Sequence, residues 1–565
     1  MTPSELEDAV SKATAHFIIE YKKHSDTKYD FNLRGKKNFW NVRLDFSSGF
    51  PYALPTITLL DSIFIGSVPH VNIKGTVCIQ EGDSLIIDYQ RPTDLICYSL
   101  DLTLSVLSKG DLKIYEDELT DEYEGYFHTE AAEVNSFYAA KDNVEHFYLK
   151  VIYPSKQKRK RSHPVLLFDK NKSLPNSFSD IKNKYTYQVI KAIHLPFLSP
   201  TLPPKEGRPI TIEYINELLD DVTDKARLNK LLLKEKKKRQ HYILLSFPRS
   251  KKGERTQILL NFNSDKSSLH PLIDRTDCWD IKTYLLKRNN QSYLLERGGG
   301  DSNLSNKKVT IIGCGSVGGE VATMLAKSGV GELMLIDKDT LETDNIYRHR
   351  LGGAYIPFTP NLGSGDVPRI AKVSALKNSL EKDIPYVKVS CNLNPVQTII
   401  AEKGLHFADV VVVAVGSPSL SLWINKELKT LGHKKVIFCW NEASSLGGHS
   451  VSINLETSCF ECLYTDTSGF KLNNDLSFLK TGQGLTKNLT GCAGVFTPFS
   501  YLDSSQTAAL ATKQCLDMLI LDRDSTAMSW KGENRSNLKV TQRYEESELK
   551  EEVVINSKDA CHVCK

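Results

Sequence analysis

Apolar and polar residues follow one another in three successive patterns along the chain. In the first, MTPSELEDAVSKATAHFIIEYKK (1–23) places apolar residues at helical spacing behind a capped, acidic start. FWNVRLDF (39–46) and PTITLLD (55–61) then read as strands, and TDLICYSLDLTLSVLS (93–108) returns to the helical period. This α+β order ends near residue 145. The second pattern, 146–296, consists of short continuous apolar runs, PVLLF, YILLSF and QILLNF, broken by prolines and basic clusters. It predicts an α/β spacer or docking domain without a catalytic pattern of its own. RGGGDSN (297–303) reads as a flexible hinge. Beyond it, KKVTIIGCGSVGGEVATMLAKSGVGELMLIDKD (307–339) runs from an apolar strand through glycines into an apolar-faced helix and a second strand ending in acids. That is the opening of a βαβ unit, and it predicts a Rossmann-like α/β domain over 297–565.

Composition sharpens this only a little. The 565 residues exceed one core and fit about three or four domains. With 72 basic against 68 acidic residues, the net charge of +4 gives no global argument for nucleic acid or membrane as a partner. The runs KQKRKR (156–161) and KEKKKR (234–239) read as solvated loops or a helix face. No stretch approaches the ~20 apolar residues of a membrane span, and the N-terminus lacks a signal-peptide pattern. A cytoplasmic protein is expected, so the twelve cysteines are metal ligands, nucleophiles or core residues before they are disulfides.

The candidate chemistry begins at Gly313, Gly315 and Gly318, a G-x-G-x-x-G between strand and helix, where backbone N–H groups can face a phosphate. Asp337 suits a ribose, and to this point a dinucleotide dehydrogenase fits equally well. The following loop discriminates. Asp339, Asn345, Arg348 and Arg350, with Lys372 on the next helix, supply cations and amides suited to a triphosphate.

In that order these residues resemble the adenylating domain of ubiquitin-activating enzymes and their ThiF/MoeB-type relatives. The resemblance implies ATP as substrate and adenylation of a protein C-terminus. It also implies nucleotide contacts from Asp337 and Asn345, phosphate contacts from Arg348 and Lys372, and Asp339 near Mg2+. One departure is plain: where the family carries a magnesium-binding aspartate after a later strand, DVVVVAVGSPS gives Gly416 and Ser417.

Two C-x-x-C pairs, Cys459/Cys462 and Cys561/Cys564, each set two thiolates on a tight turn and together suit a closed, structural zinc site. ThiF/MoeB-type enzymes carry a similar bracketing pair. Between the pairs, Cys492 follows a polar, Gly- and Asn-rich stretch and precedes a helical pattern. A helix N-terminus there would favour its thiolate, and activating enzymes have an acceptor cysteine near this point.

HVNIKGTVCIQ (70–80) resembles the active-site segment of ubiquitin-conjugating enzymes. The likeness implies Cys78 as a thioester carrier, Asn72 as an oxyanion donor and His70 as structural. Val71 replaces the family's proline, and the Asn-to-Cys spacing is two residues shorter. The whole order resembles the conjugating/activating fusion proteins of bacterial CBASS anti-phage operons. By that resemblance the partner is a cGAS/DncV-like nucleotidyltransferase, or a ubiquitin-like protein, joined to a target lysine, and the chain is a homodimer. The rivals are a sulfur-carrier adenylyltransferase with a non-catalytic N-terminal domain and a non-catalytic scaffold.

Overall fold

The structure is a computed structural model. It describes residues 1–565 except 18–19, 48, 80–88, 113–115, 129–131, 153–162, 170–174, 176–186, 251–254, 275–278, 358–367, 403–404, 406–407, 490–494, 522, 549, 560 and 562–565. Cys492, Cys564 and the basic run at 156–161 therefore lie outside the described residues. Two compact units emerge, Met1–Ser173 with Lys184–Asn290, and Leu174–Asn183 with Gln291–Lys565.

The first unit opens with α1 (Pro3–Phe17) and a five-stranded antiparallel meander in the order β1 (Tyr21–Ser25), β2 (Lys28–Arg34), β3 (Phe39–Asp45), β4 (Thr56–Leu59), β5 (Thr76–Val77). Alternation is literal in β3, where Trp40, Val42 and Leu44 are buried and Phe39 and Asn41 are exposed. Helices α2 (Pro92–Leu112), α3 (Glu116–Asp121) and α4 (Tyr123–Tyr126) follow.

The middle pattern folds as a closed barrel. Its strands are β6 (Ala132–Ser136), β7 (Glu145–Ile152), β8 (His163–Phe168), β9 (Tyr187–Pro196), β10 (Lys238–Phe247), β11 (Thr256–Ser268) and β12 (Asp280–Arg288). They close in the order β10-β11-β12-β6-β8-β7-β9. Two short helices, α5 (Ile212–Leu218) and α6 (Lys225–Leu232), sit between β9 and β10. The apolar runs are continuous because β10 is buried on both faces. Tyr242 and Leu244 join one core, while Ile243, Leu245 and Phe247 join another that also holds Trp40, Val77 and Tyr123. The first two expected parts thus share a core, and β6 lies ahead of the break expected at 145. Polar ties reinforce the packing: Tyr126 Oη donates to the Pro204 carbonyl at 2.8 Å, and the Tyr123 and Tyr214 hydroxyls meet at 2.9 Å.

The second unit starts with α7 (Gln291–Arg297). The glycines after it form a helix cap where a flexible hinge was expected. Gly298 N–H donates to Leu294 O (3.0 Å), Gly300 N–H to Leu295 O (2.8 Å), and Gly299 takes φ +75°, which glycine adopts freely.

An eight-stranded sheet follows, built from β13 (Lys308–Ile312), β14 (Glu332–Ile336), β15 (Lys388–Asn392), β16 (Val410–Val413), β17 (Lys435–Asn441), β18 (Gly447–Asn454), β23 (Thr526–Lys531) and β24 (Lys550–Val554). Two small hairpins, β19 (Thr465–Asp466) with β20 (Gly469–Phe470) and β21 (Lys487–Asn488) with β22 (Val495–Phe496), precede β23. The sheet order is β15-β14-β13-β16-β17-β18-β23-β24; the first five run parallel and the rest antiparallel. Helices α8 (Ser316–Ser328), α9 (Lys372–Asp383), α10 (Val396–Ala401), α11 (Pro418–Thr430), α12 (Tyr501–Ile520) and α13 (Gln542–Glu546) complete it. The strand order reverses direction at β13, and the carboxyl ends of β13 and β16 open on the crevice that such sheets use for ligands.

Candidate active site

Steric necessity explains the glycine loop. Gly313 leaves β13 at φ +87°, and a Cβ there would lie 2.7 Å from Ala414 O; a Cβ on Gly318 would lie 1.9 Å from Gly313 O. Gly315 caps α8, whose first N–H groups are left for a ligand. Asp337 holds this loop: one carboxylate oxygen accepts from Cys314 N–H (2.8 Å), the other from Asp339 N–H (2.9 Å).

A cavity of about 600 Å³ lies at these strand ends, lined by Gly315, Ser316, Asn345, Arg348, His349, Lys372 and Gly416, among others. Its far side is formed by Trp440, Asn441 and Glu442 from the end of β17 and by Val495, Phe496 and Phe499. Each polar member is positioned. Asn345 spends its side-chain oxygen on Glu342 N–H (3.1 Å), leaving the amide group for a ligand. Arg348 stacks its guanidinium over the Phe499 ring at 5.4 Å. Lys372, only 12% exposed, is steadied by Asp339 at 3.2 Å. His349 accepts from Leu351 N–H at Nδ1 (3.0 Å), so Nε2 carries the proton and donates to Cys314 O (2.9 Å). Burial lowers the His349 pKa and keeps the ring neutral, pinning the arginine-bearing loop to the glycine loop.

The residues present fit a nucleoside triphosphate: a helix N-terminus, two positioned cations and an amide face one cavity large enough for it. For magnesium the acids expected from the sequence fit less well, since Asp339 is engaged by Lys372 and stands outside the cavity lining, and Gly416 has no ligand atom.

The expected metal cluster also converges. Cys459, Cys462 and Cys561 are buried, their sulfurs all within 4.8 Å of one another. The 3.8 Å between Cys459 and Cys462 Sγ equals the edge of a tetrahedron with zinc–sulfur bonds of about 2.3 Å, whereas Cys459 and Cys561 Sγ stand closer, at 3.1 Å; the donor set of buried thiols suits zinc. Other cysteines pack in the core: burial pushes the Cys439 thiol up to about 12.

Cys492 lies outside the described residues, and the helix expected directly after it begins further on. Helix α12 begins at Tyr501, and its first turn is already capped by Ser500 and Asp503 in a reciprocal box. Val495 and Phe496 of β22 line the cavity.

In the first unit Cys78 is exposed just past β5, its N–H donating to His70 O at 2.7 Å. Asn72 Oδ1 accepts from Lys74 N–H and Thr76 N–H, both at 3.0 Å, which shapes the turn and leaves Nδ2 as a donor. His70, at φ +61°, is clamped by Glu122, whose carboxylate takes both the backbone N–H (2.7 Å) and Nδ1 (2.6 Å) and raises the histidine's pKa.

Glu442, Trp440, Asn441 and Phe499 were not legible as site residues, because the strand neighbourhood brings them in rather than any motif. The general rule that ligands gather at carboxyl ends of parallel strands was the available signal for the first three.

No helix among the described residues is long and apolar enough to cross a membrane. Residues 288–497 match the ThiF family. The ATP-dependent ubiquitin transferase-like protein Cap2 of Vibrio cholerae is 28% identical over 227 residues, 38% of this chain and 36% of that protein. Its Pseudomonas aeruginosa counterpart is 29% identical over 265 residues, 44% and 43%. The match thus spans less than half the length of these curated relatives. Among solved structures, Escherichia coli MccB with ATP is similar at 20% identity and a TM-score of 0.32, covering 48% of this chain and 69% of that one. The glycine loop and most residues of the cation-lined cavity lie within the stretch 288–497 that matches the ThiF family.

Proposed function

We propose that the protein uses ATP to activate the C-terminal carboxylate of a protein partner and passes the acyl group through Cys492 and Cys78 to a target lysine. One observation carries this: Arg348, Lys372, Asn345 and the start of α8 face a single cavity. The partner's carboxylate oxygen attacks the α-phosphorus, forming an acyl–phosphate bond as pyrophosphate leaves. Arg348 and Lys372 offset the charge that shifts onto the leaving phosphates. A bound magnesium ion supplies further charge neutralisation. The Cys492 thiolate then attacks the acyl carbon and AMP departs; Val495 and Phe496, a few residues further along the chain, line the cavity and support this assignment. Cys78 takes the acyl group by thioester exchange, and the lysine nitrogen displaces the Cys78 thiolate as the amide forms. Asn72 Nδ2 donates to the oxyanion of that last step. Exposure of Cys78 suits a thiol that must meet two large partners in turn. The partner is a cGAS/DncV-like nucleotidyltransferase or a ubiquitin-like protein, and Cys459, Cys462, Cys561 and Cys564 hold zinc.

Intact-mass spectrometry of the chain co-expressed with its genomic neighbours tests the relay. Wild type is expected to carry a thiol-labile adduct that identifies the partner. Cys492→Ala removes it from both cysteines, and Cys78→Ala leaves it on Cys492. An adduct that never reaches Cys78 would restrict the function to activation, as in a sulfur-carrier adenylyltransferase.

A further inference from the structure

A nucleoside triphosphate arrives with a divalent cation. Magnesium keeps several waters and takes one or two protein carboxylates beside the phosphate oxygens. Among the described residues that line the cavity, Glu442 is the one carboxylate.

The strand register explains its position. Val413 of β16 pairs with Phe438 of β17 in parallel, so three residues further along, Gly416 and Asn441 share a rank, and Glu442 comes next. Around Gly416 the space is open, with nothing within 4 Å of where a Cβ would stand.

Glu442 is also held as a ligating carboxylate is held. Its Oε1 accepts from His449 Nε2 (3.2 Å) and from Phe478 N–H (3.2 Å). His449 is fully buried; because the carboxylate can only accept, Nε2 carries a proton, while Nδ1 meets the Ser529 hydroxyl at 2.7 Å and holds the ring in place. Oε2 has no hydrogen bond among the described residues. The side chain is 11% exposed, so this oxygen is offered to the cavity and not to bulk water. One oxygen anchored by an oriented imidazole and the other presented is the arrangement that tunes metal ligands.

We propose that Glu442 is the protein's ligand for the divalent cation of the bound nucleotide, beside the open space at Gly416. This rests on reading the cavity as a triphosphate site.

The test uses the full chain, Mn2+ as the probe read by electron paramagnetic resonance, and α,β-methylene-ATP. Wild type is expected to gain one tight Mn2+ site when the nucleotide is added. Glu442→Gln, which can still accept from His449 and Phe478, is expected to weaken that site at least ten-fold while nucleotide binding in EDTA is unchanged. Glu442→Asp keeps the charge and is expected to bind Mn2+ more tightly than the glutamine variant. Asp339→Asn, which acts through Lys372, is expected to weaken the Mn2+ site less than Glu442→Gln does. Equal Mn2+ affinity in wild type and both Glu442 variants overturns the proposal, as does a loss confined to Asp339→Asn. If wild type binds no nucleotide with or without metal, the triphosphate reading itself fails, a result separable from the others.

Discussion

The glycine loop before α8 and the turn before Cys78 are both tight bends with a glycine at positive φ, Gly313 at +87° and Gly75 at +80°. They present their chemistry in opposite ways. In the first, the backbone does the binding: glycines are packed against Ala414 and against each other, and helix N–H groups face the cavity. In the second, the backbone is consumed internally by Asn72 Oδ1 and the His70 carbonyl, and the chemistry is left to exposed side chains. A backbone site tolerates almost no substitution and so writes a strict pattern into the sequence. A side-chain site fixes only one or two atoms and leaves a loose one.

The largest expected effect is on the strict side. Gly318→Ala sets a Cβ 1.9 Å from Gly313 O, and is expected to abolish nucleotide binding measured by calorimetry. Next, Arg348→Ala and Lys372→Ala are each expected to slow ATP–pyrophosphate exchange about 100-fold, in the range for lost transition-state charge stabilisation. Gly75→Ala brings a Cβ 2.5 Å from Leu59 O at positive φ; a cost of roughly 1–3 kcal/mol in the first unit, with nucleotide binding intact, is expected from chemical denaturation. Asn72→Ala loses two backbone hydrogen bonds and about 1–2 kcal/mol. Asn72→Asp keeps both acceptors but not the Nδ2 donor, so unchanged stability with slower transfer from Cys78 would separate turn-making from catalysis.

The smallest effect is on pH dependence. Burial between Tyr138 and Ser246 lowers the His194 pKa to about 3, so the folded state binds fewer protons there than the unfolded chain. That contribution is complete above about pH 6.5 and shrinks as pH falls toward 3. His70, raised by Glu122, has the opposite sign: its contribution is present below about pH 6.5 and is lost as pH climbs through the raised value. Thermal melts across pH 4–8 are expected to flatten on the acid side for His194→Asn and on the basic side for His70→Asn.

The same contrast governs what the sequence disclosed. Gly313, Gly315, Gly318, Arg348 and Lys372 were legible because a βαβ opening forces their spacing. Glu442 was not, since only the parallel register of β16 and β17 brings it beside Gly416. The runs YILLSF and QILLNF read as apolar strands, but barrel closure depends on β9 and β10 and on β12 and β6, pairs distant in sequence, so an α/β spacer was expected in place of a barrel. The helix after Cys492 was expected at once on composition alone, where the capping residues Ser500 and Asp503 mark its start.

The cysteine cluster carries a further consequence, in time. Cys459 meets Cys561 at 3.1 Å across 102 positions. A nascent chain can lay down β13 through β18 while Cys561 is still unmade, but the cluster cannot close until β23, β24 and the segment beyond them have left the ribosome. Closing a loop of about 100 residues removes on the order of 4–5 kcal/mol of chain entropy when the link is permanent. Whatever ties these thiols together therefore acts as a late latch, and a chain stalled before residue 561 would hold a sheet with its last clasp open.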